Sequence, residues 1–156
     1  QAAGVRALAK RPYIDPQRVG IYGTSYGGYA SLMCLLRYPD VFRAASASSP
    51  VTDWRHYDSI YTERYMDLPS ANKDGYDFGS AMTYVKNLKG RLLLFFGTAD
   101  NNVHPANSLM WIKAANALNL GFDMVVGPDQ GHAGVNRNRM LEFFYDHLIA
   151  DRSATP

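Results

Sequence analysis

Four short runs of apolar or small residues, each bounded by turn residues, recur along this chain of 156 residues. They cover residues 18–23, 41–48, 91–96 and 122–126. The runs are continuously apolar rather than alternating, which is typical of strands buried on both faces of a parallel sheet. Helical spacing follows at residues 29–38, 107–118 and 138–149. This alternation predicts an α/β fold with about four parallel strands flanked by helices.

The length of the chain allows one domain. A chain of this size buries roughly 68–70% of the surface that its unfolded form exposes, which is enough for a core of ordinary size. Residues 1–10 have helical spacing but no N-terminal cap, and the prolines that follow end this helix. A tyrosine-rich insertion at residues 54–84, with short helical pieces of its own, separates the second strand from the third. The sequence contains no internal repeat.

Charge and cysteine content exclude several classes of protein. Sixteen basic and fourteen acidic residues give a net charge of +2, and they are scattered along the chain. Nucleic acid is therefore not an implied partner. No apolar run approaches the roughly 20 residues that a membrane helix needs. The single cysteine, Cys34, excludes an internal disulfide, and its apolar surroundings predict a buried, inert thiol.

Residues 23–27 read Gly-Thr-Ser-Tyr-Gly and match the G-x-S-x-G pattern of a nucleophile elbow. The bare pattern is weak, because such pentapeptides also occur as glycine-rich turns with a solvent-facing serine. Here it directly follows a predicted strand and directly precedes a predicted helix, which is the context that the elbow requires. We therefore expect Ser25 to be a nucleophile at a helix N-terminus. The backbone N–H of Tyr26 would then donate to a developing oxyanion.

A serine nucleophile needs a base and an acid that orients the base, in the chain order serine, acid, histidine for this type of site. Asp100 leaves the carboxyl end of the third strand, and His132 lies in a glycine-flanked loop after the fourth. Asp123 lies inside a strand and Asp129 stands only three residues before the histidine, so both are weaker candidates for the acid. The remaining histidines are expected to be structural or exposed: His56, His104 and His147.

Four segments of the chain carry a resemblance to a known family. They are Gly-Thr-Ser-Tyr-Gly-Gly-Tyr at 23–29, Tyr-Asp-Ser-Ile-Tyr-Thr-Glu-Arg-Tyr-Met at 57–66, Gly-Thr-Ala-Asp-Asn-Asn-Val-His at 97–104, and Gly-His at 131–132. With these segments the chain resembles the C-terminal part of the catalytic domain of the prolyl oligopeptidase family, in its dipeptidyl peptidase IV branch. The segment at 57–66 is the most specific, because hydrolases in general lack it.

The resemblance implies an α/β-hydrolase fold and a set of substrate-binding residues. In that branch a small apolar pocket accepts proline or alanine, and the residue that matches Asn102 donates a hydrogen bond to the substrate carbonyl. The pocket walls match Val51, Trp54, Tyr57, Tyr61, Val103 and the ring of Tyr26. A flat aromatic box of this kind admits a pyrrolidine ring and excludes long side chains. The alternative for these tyrosines is simple core packing.

The resemblance also implies that residues 1–156 are one part of a peptidase catalytic domain. The first strand matches the fifth of eight, so the N-terminal half of the domain and the β-propeller ahead of it are expected outside this chain. Those parts supply the glutamates that hold the substrate amine and a tyrosine that is the second oxyanion donor. Tyr13 and Tyr22 do not suit that role. Members of the family are often periplasmic, secreted or cell-surface proteins.

The function expected from these features is a serine exopeptidase that releases N-terminal X-Pro or X-Ala dipeptides from peptides through an acyl-enzyme, with no metal or cofactor. Without the missing parts, the activity of the isolated chain is doubtful. We also expect self-association, or packing against the rest of a longer protein, because the first strand lacks one neighbour. Two alternatives remain: an esterase or acyl-peptide hydrolase of the same fold, and a truncated inactive or interaction module.

Overall fold

A computed structural model describes residues 1–150 and contains one sheet of four parallel strands. The strands pair in the order in which they occur in the chain. They are β1 Gly20–Thr24, β2 Ala44–Ser48, β3 Arg91–Gly97 and β4 Asp123–Gly127. The prediction of four parallel strands flanked by helices is confirmed.

Helices connect the strands, with the sheet in the middle. They are α1 Ala2–Leu8, α2 Tyr26–Arg37, α3 Ser59–Met66, α4 Lys73–Gly79, α5 Ala106–Ala117 and α6 Arg137–Tyr145. Two 3₁₀ segments, Trp54–His56 and Ala81–Asn87, lie in the insertion, and one π-helical turn, Asp146–Ala150, continues α6. Helix α2 begins three residues before its predicted start, because the two glycines of its first turn hide the apolar spacing.

Apolar side chains cover both faces of the two central strands. On one face Leu32 and Leu36 of α2 and Trp111 of α5 pack with alternate leucines of β3. On the other face Leu93 of β3 packs against Phe143 of α6. Strand β2 consists of alanine and serine, and these small residues let α2 lie close to the sheet. The core therefore buries all of β2 and all of β3 except its first residue.

The two outer strands are less buried than the sequence pattern predicts. All five residues of β2 are buried, whereas those of β1, and those of β4 before the buried Gly127, alternate between exposed and half-buried. Tyr22 in β1 is 66% exposed. The prediction of strands buried on both faces therefore holds for β2 and β3 and is wrong for β1 and β4. The exposed residues of each outer strand stand at alternate positions and therefore lie on one face, which is open to solvent within residues 1–150.

Two further expectations concern membranes and the cysteine. Among the helices of residues 1–150, none combines the length and the apolar character that a bilayer crossing requires. Cys34 is a free thiol buried on α2, and this burial raises its pKa. A raised thiol pKa lowers the thiolate fraction at neutral pH, so Cys34 has the properties of an inert core residue.

Two adjacent glycines of α2 provide a matched test of this packing. A Cβ atom at Gly28 would collide with the carbonyl oxygen of Ser48 in β2, whereas a Cβ atom at Gly27 would meet nothing within 4 Å. We expect Gly28→Ala to lower the free energy of unfolding by about 1–3 kcal/mol through overpacking. Gly27→Ala should leave it unchanged or raise it by up to about 1 kcal/mol, because alanine favours helix. Chemical denaturation of both variants checks this, and equal stabilities would contradict it.

Candidate active site

Ser25 occupies the tight turn between β1 and α2 and has an unusual backbone conformation. Its φ is 61° and its ψ is −123°, a region that residues other than glycine rarely adopt. Its N–H donates to the carbonyl oxygen of Ser48 at 2.9 Å, and its own carbonyl oxygen accepts from the N–H of Tyr29 at 2.9 Å. Backbone bonds on both sides therefore hold the strained turn, which lies at the carboxyl end of the sheet.

Glycine is required beside Ser25 because the backbone approaches itself there. A Cβ atom at Gly23 would collide with the backbone of Gly27. The glycine at position 23 is thus needed for the sharp reversal from strand to helix. This close approach is the physical basis of the pattern that the sequence displays.

Tyr26 is the first residue of α2, so its N–H has no carbonyl partner within the helix. Among the described residues no backbone hydrogen bond uses this N–H. The partial positive charge of a helix N-terminus adds to this free donor. The position suits a negative oxygen that forms next to Ser25.

Asp100 lies in the loop that follows β3 and is 3% exposed. Its Oδ1 accepts hydrogen bonds from the N–H groups of Asn102 and Val103, each at 2.9 Å. Its Oδ2 lies 2.8 Å from Nδ1 of His132. A buried carboxylate needs such partners, because an unpaired buried charge is very unfavourable. The carboxylate thus orients the imidazole and also closes the turn that carries Asn102.

His132 lies in a loop between β4 and α6 that is bonded to the neighbouring strand ends. The bonds run from Ala99 N–H to the Gln130 carbonyl (2.9 Å), from Ser49 Oγ to the Ala133 carbonyl (2.8 Å) and from Val135 N–H to Ser48 Oγ (3.1 Å). Gly97, at the end of β3, lies against the Gln130 carbonyl where a side chain would collide. Sequence reasoning did not predict these hydrogen bonds. The available signal was the pair of serines at the end of β2, Ser48 and the following Ser49.

The structure separates the candidates for the acid. Asp123 begins β4 and lies 3.5 Å from Nε2 of His147. Asp129 takes a left-handed backbone conformation, and its N–H donates to Thr98 Oγ1. Neither aspartate bonds to His132 among the described hydrogen bonds, and none of these bonds joins Ser25 Oγ to His132. Serine–histidine contacts are often long without substrate.

The predicted pocket residues lie together, and one of them, Tyr26, directly follows Ser25 in the chain. Trp54 is buried and its ring stacks on that of Tyr61, with centroids 5.9 Å apart and planes at 22°. The ring of Tyr57 lies 6.0 Å and that of Tyr26 5.8 Å from the Trp54 ring. Val51 and Val103, both buried, pack in the same cluster as Trp54. We call this set the aromatic wall: Tyr26, Val51, Trp54, Tyr57, Tyr61 and Val103.

A polar contact stands at the edge of the aromatic wall. The Tyr57 hydroxyl donates to Oδ1 of Asn102 at 2.7 Å. Burial, and next the nearby Asp58, Tyr61 and Asp100, raise the pKa of Tyr57 above its usual value. The phenol therefore stays protonated, and acts as a donor, across the neutral range.

A cavity of about 480 Å³ borders the aromatic wall and is lined by three of its rings, those of Tyr26, Trp54 and Tyr61. Its other lining includes Tyr65, Met66 and Phe78, and it does not include Tyr57 or either valine of the aromatic wall. Sequence reasoning did not identify this cavity. The available signal was the four-residue spacing of the two tyrosines of α3, which places them on one helix face with ring centroids 5.1 Å apart.

Comparisons with known proteins agree with this geometry. The prolyl oligopeptidase family matches residues 1–149. The chain is 42% identical over 137 residues to human dipeptidyl peptidase 8, covering 85% of the chain and 15% of that protein. It is 43% identical over 148 residues to a Neurospora crassa protein named "probable dipeptidyl-aminopeptidase B", covering 90% of the chain and 16% of that protein.

A solved structure is also similar to this chain over most of its length. The crystal structure of Porphyromonas gingivalis dipeptidyl peptidase 4 matches with a TM-score of 0.90 at 42% identity, over 95% of this chain and 22% of that chain. The chain thus spans about one sixth of the length of these curated relatives, since the matched shares are 15% and 16%. The predicted resemblance and the α/β-hydrolase-like fold are confirmed. On these grounds the chain belongs to the prolyl oligopeptidase family.

Proposed function

We propose that this chain provides the catalytic residues of a serine peptidase that releases N-terminal dipeptides ending in proline or alanine. The observation that supports this most is the buried Asp100–His132 pair at the same sheet edge as the strained Ser25. The dipeptidyl peptidases among its relatives support the same reaction class. Peptides are the proposed substrates.

Each residue has a defined step in this proposal. Asp100 accepts Nδ1–H of His132, so Nε2 is the nitrogen that takes the proton from Ser25 Oγ. Oγ bonds to the substrate carbonyl carbon, and the Tyr26 N–H stabilises the resulting oxyanion. His132 then gives the proton to the leaving amine, which departs as the acyl-enzyme forms. A water molecule gives a proton to His132 and attacks the acyl carbon. His132 returns that proton to Ser25 Oγ as the bond to Oγ breaks and the dipeptide leaves.

The aromatic wall supports a substrate with a short, compact side chain before the cleaved bond. Tyr57 packs edge-on against Trp54 and Tyr61, and Tyr61 stacks on Trp54, so the wall offers flat apolar contact but little room for a long chain. We propose that the second oxyanion donor and the group that holds the substrate amine come from parts of a larger catalytic domain and a β-propeller outside these residues. Loss of one oxyanion donor typically reduces turnover by about 10²–10³-fold, so the chain alone should be a weak enzyme.

Labelling by a fluorophosphonate tests the nucleophile. In the longest natural polypeptide that contains this chain, we expect labelling of the wild type and none of Ser25→Ala, because only an activated serine attacks the phosphorus. Turnover of Gly-Pro-anilide should fall by at least about 10³-fold in Ser25→Ala. Ser59→Ala, which removes an exposed hydroxyl of α3, is the control.

Three outcomes separate the alternatives. Labelling that persists in Ser25→Ala contradicts the nucleophile, and no labelling of the wild type indicates an inactive or interaction module. A labelled protein that cleaves a short acyl ester but not Gly-Pro-anilide is an esterase instead of a dipeptidyl peptidase.

Tyr61 tests the specificity. Its ring belongs to the aromatic wall and also lines the 480 Å³ cavity, so Tyr61→Ala should enlarge the space beside the wall and admit larger side chains. We expect kcat/KM for Gly-Leu-anilide relative to Gly-Pro-anilide to rise at least about tenfold, since each methylene in an apolar pocket contributes about 1–3 kcal/mol. Tyr61→Phe keeps the ring and should keep the selectivity. An unchanged preference in Tyr61→Ala would show that the ring does not limit the pocket.

We also propose that the 156 residues alone self-associate. Strand β1 pairs only with β2 within the described part of the chain, and its residues alternate between exposed and half-buried. An open, uncharged strand edge pairs readily with another chain. Sedimentation at low micromolar concentration should show species larger than a monomer. Tyr22→Lys, which places a charge on β1, should shift them toward monomer, and Tyr13→Lys, which changes an exposed turn tyrosine, should not. A stable wild-type monomer would contradict the proposal.

A further inference from the structure

The contact between Tyr57 and Asn102 joins two parts of the chain that are 45 residues apart. Tyr57 lies in the insertion just before α3, and Asn102 lies in the loop after β3 that carries Asp100. The 2.7 Å separation of Tyr57 Oη and Asn102 Oδ1 is that of a well-formed hydrogen bond between a hydroxyl and an oxygen acceptor. The insertion therefore contacts the loop that carries Asp100 through a polar group as well as through apolar packing.

This bond determines which way the Asn102 amide faces. An amide side chain has an acceptor oxygen on one side and a donor NH₂ on the other. Because the phenol donates, Oδ1 must face Tyr57, and Nδ2 must face away from it. Asn102 is exposed, and within residues 1–150 no hydrogen bond uses its Nδ2. The amide thus keeps an available donor beside the aromatic wall.

We propose that Tyr57 is a positioning residue whose hydroxyl fixes the Asn102 side chain with Nδ2 turned toward the carbonyl of a bound peptide. The inference rests on the proposed peptidase function for the identity of that carbonyl. It assigns to the Tyr57 hydroxyl a role that is separate from the apolar contact of its ring.

The backbone of Asn102 is held independently of Tyr57, which makes the effect of the hydroxyl separable. The Asn102 N–H donates to Asp100 Oδ1, and the other oxygen of Asp100 contacts His132. Removal of the Tyr57 hydroxyl should therefore release the Asn102 side chain and leave the loop and the His132 pair in place. A donor that binds the carbonyl equally in the ground and transition states changes KM more than kcat.

The kinetic test uses Tyr57→Phe in the longest natural polypeptide that contains this chain. Since one hydrogen bond contributes about 0.5–1.5 kcal/mol, we expect KM for Gly-Pro-anilide to rise about three- to tenfold with kcat nearly unchanged. The matched control is Tyr65→Phe. It removes the hydroxyl of a ring that contacts Tyr61 but does not belong to the aromatic wall. A fall in kcat without a rise in KM would overturn the proposal.

A double-mutant cycle with Asn102→Ala shows whether Tyr57 acts through Asn102. If it does, Tyr57→Phe has no further effect on KM when Asn102 is already alanine, and the coupling equals the effect of the single variant. If Tyr57→Phe raises KM equally in both backgrounds, the hydroxyl contacts the substrate itself, and the positioning role is wrong.

A measurement without substrate tests the positioning role of Tyr57 separately from the proposed peptidase function. The ¹⁵N relaxation of the Asn102 side-chain amide should show a restrained group in the wild type and a flexible one, with an order parameter below about 0.6, in Tyr57→Phe. An unchanged order parameter overturns the positioning role whatever the activity. A wild type that shows this restraint but does not cleave Gly-Pro-anilide keeps the positioning role and refutes the peptidase function.

Discussion

The rest of the site depends on one buried carboxylate, that of Asp100. At 3% exposure its charge is stable only if hydrogen-bond donors surround it. Two backbone N–H groups of its own loop and the imidazole of His132 are those donors. The requirement to satisfy this charge fixes the loop that carries Asn102 and also the direction of the imidazole. The orientation of the His132 imidazole and the position of Asn102 thus have a common physical cause.

The parallel sheet is what brings these groups together. The carboxyl ends of its strands lie along one edge, so the residues that follow β1, β3 and β4 meet there although they are far apart in the chain. Close approach at that edge is possible only because small residues stand at the strand ends. Gly23 allows the reversal beside Ser25, and Gly97 allows the Gln130 carbonyl to lie against β3. The serine pair that ends β2 then bonds the His132 loop to the sheet.

The insertion adds an apolar surface to this edge of the sheet. Trp54 is buried and contacts the rings on both sides of it, so its position sets those of Tyr57 and Tyr61. The stacked Trp54–Tyr61 pair also lines the 480 Å³ cavity. The Tyr57 hydroxyl also donates a hydrogen bond to Asn102, on the loop that carries Asp100. Packing and polar orientation are therefore coupled in the same few side chains.

The sequence by itself determined the features that depend on neighbouring residues: the strand–turn–helix around Ser25, the parallel arrangement of four strands, the chain order of serine, acid and histidine, and the family. Local spacing and steric limits encode all of these. The sequence also favoured Asp100 over Asp123 and Asp129, and the structure shows the Asp100–His132 contact. The tertiary structure alone decided that β1 and β4 keep an exposed face. The tertiary structure alone also decided the Tyr57–Asn102 hydrogen bond and the 480 Å³ cavity. These features depend on distances between residues far apart in the chain, and only the packed sheet and its insertion set those distances.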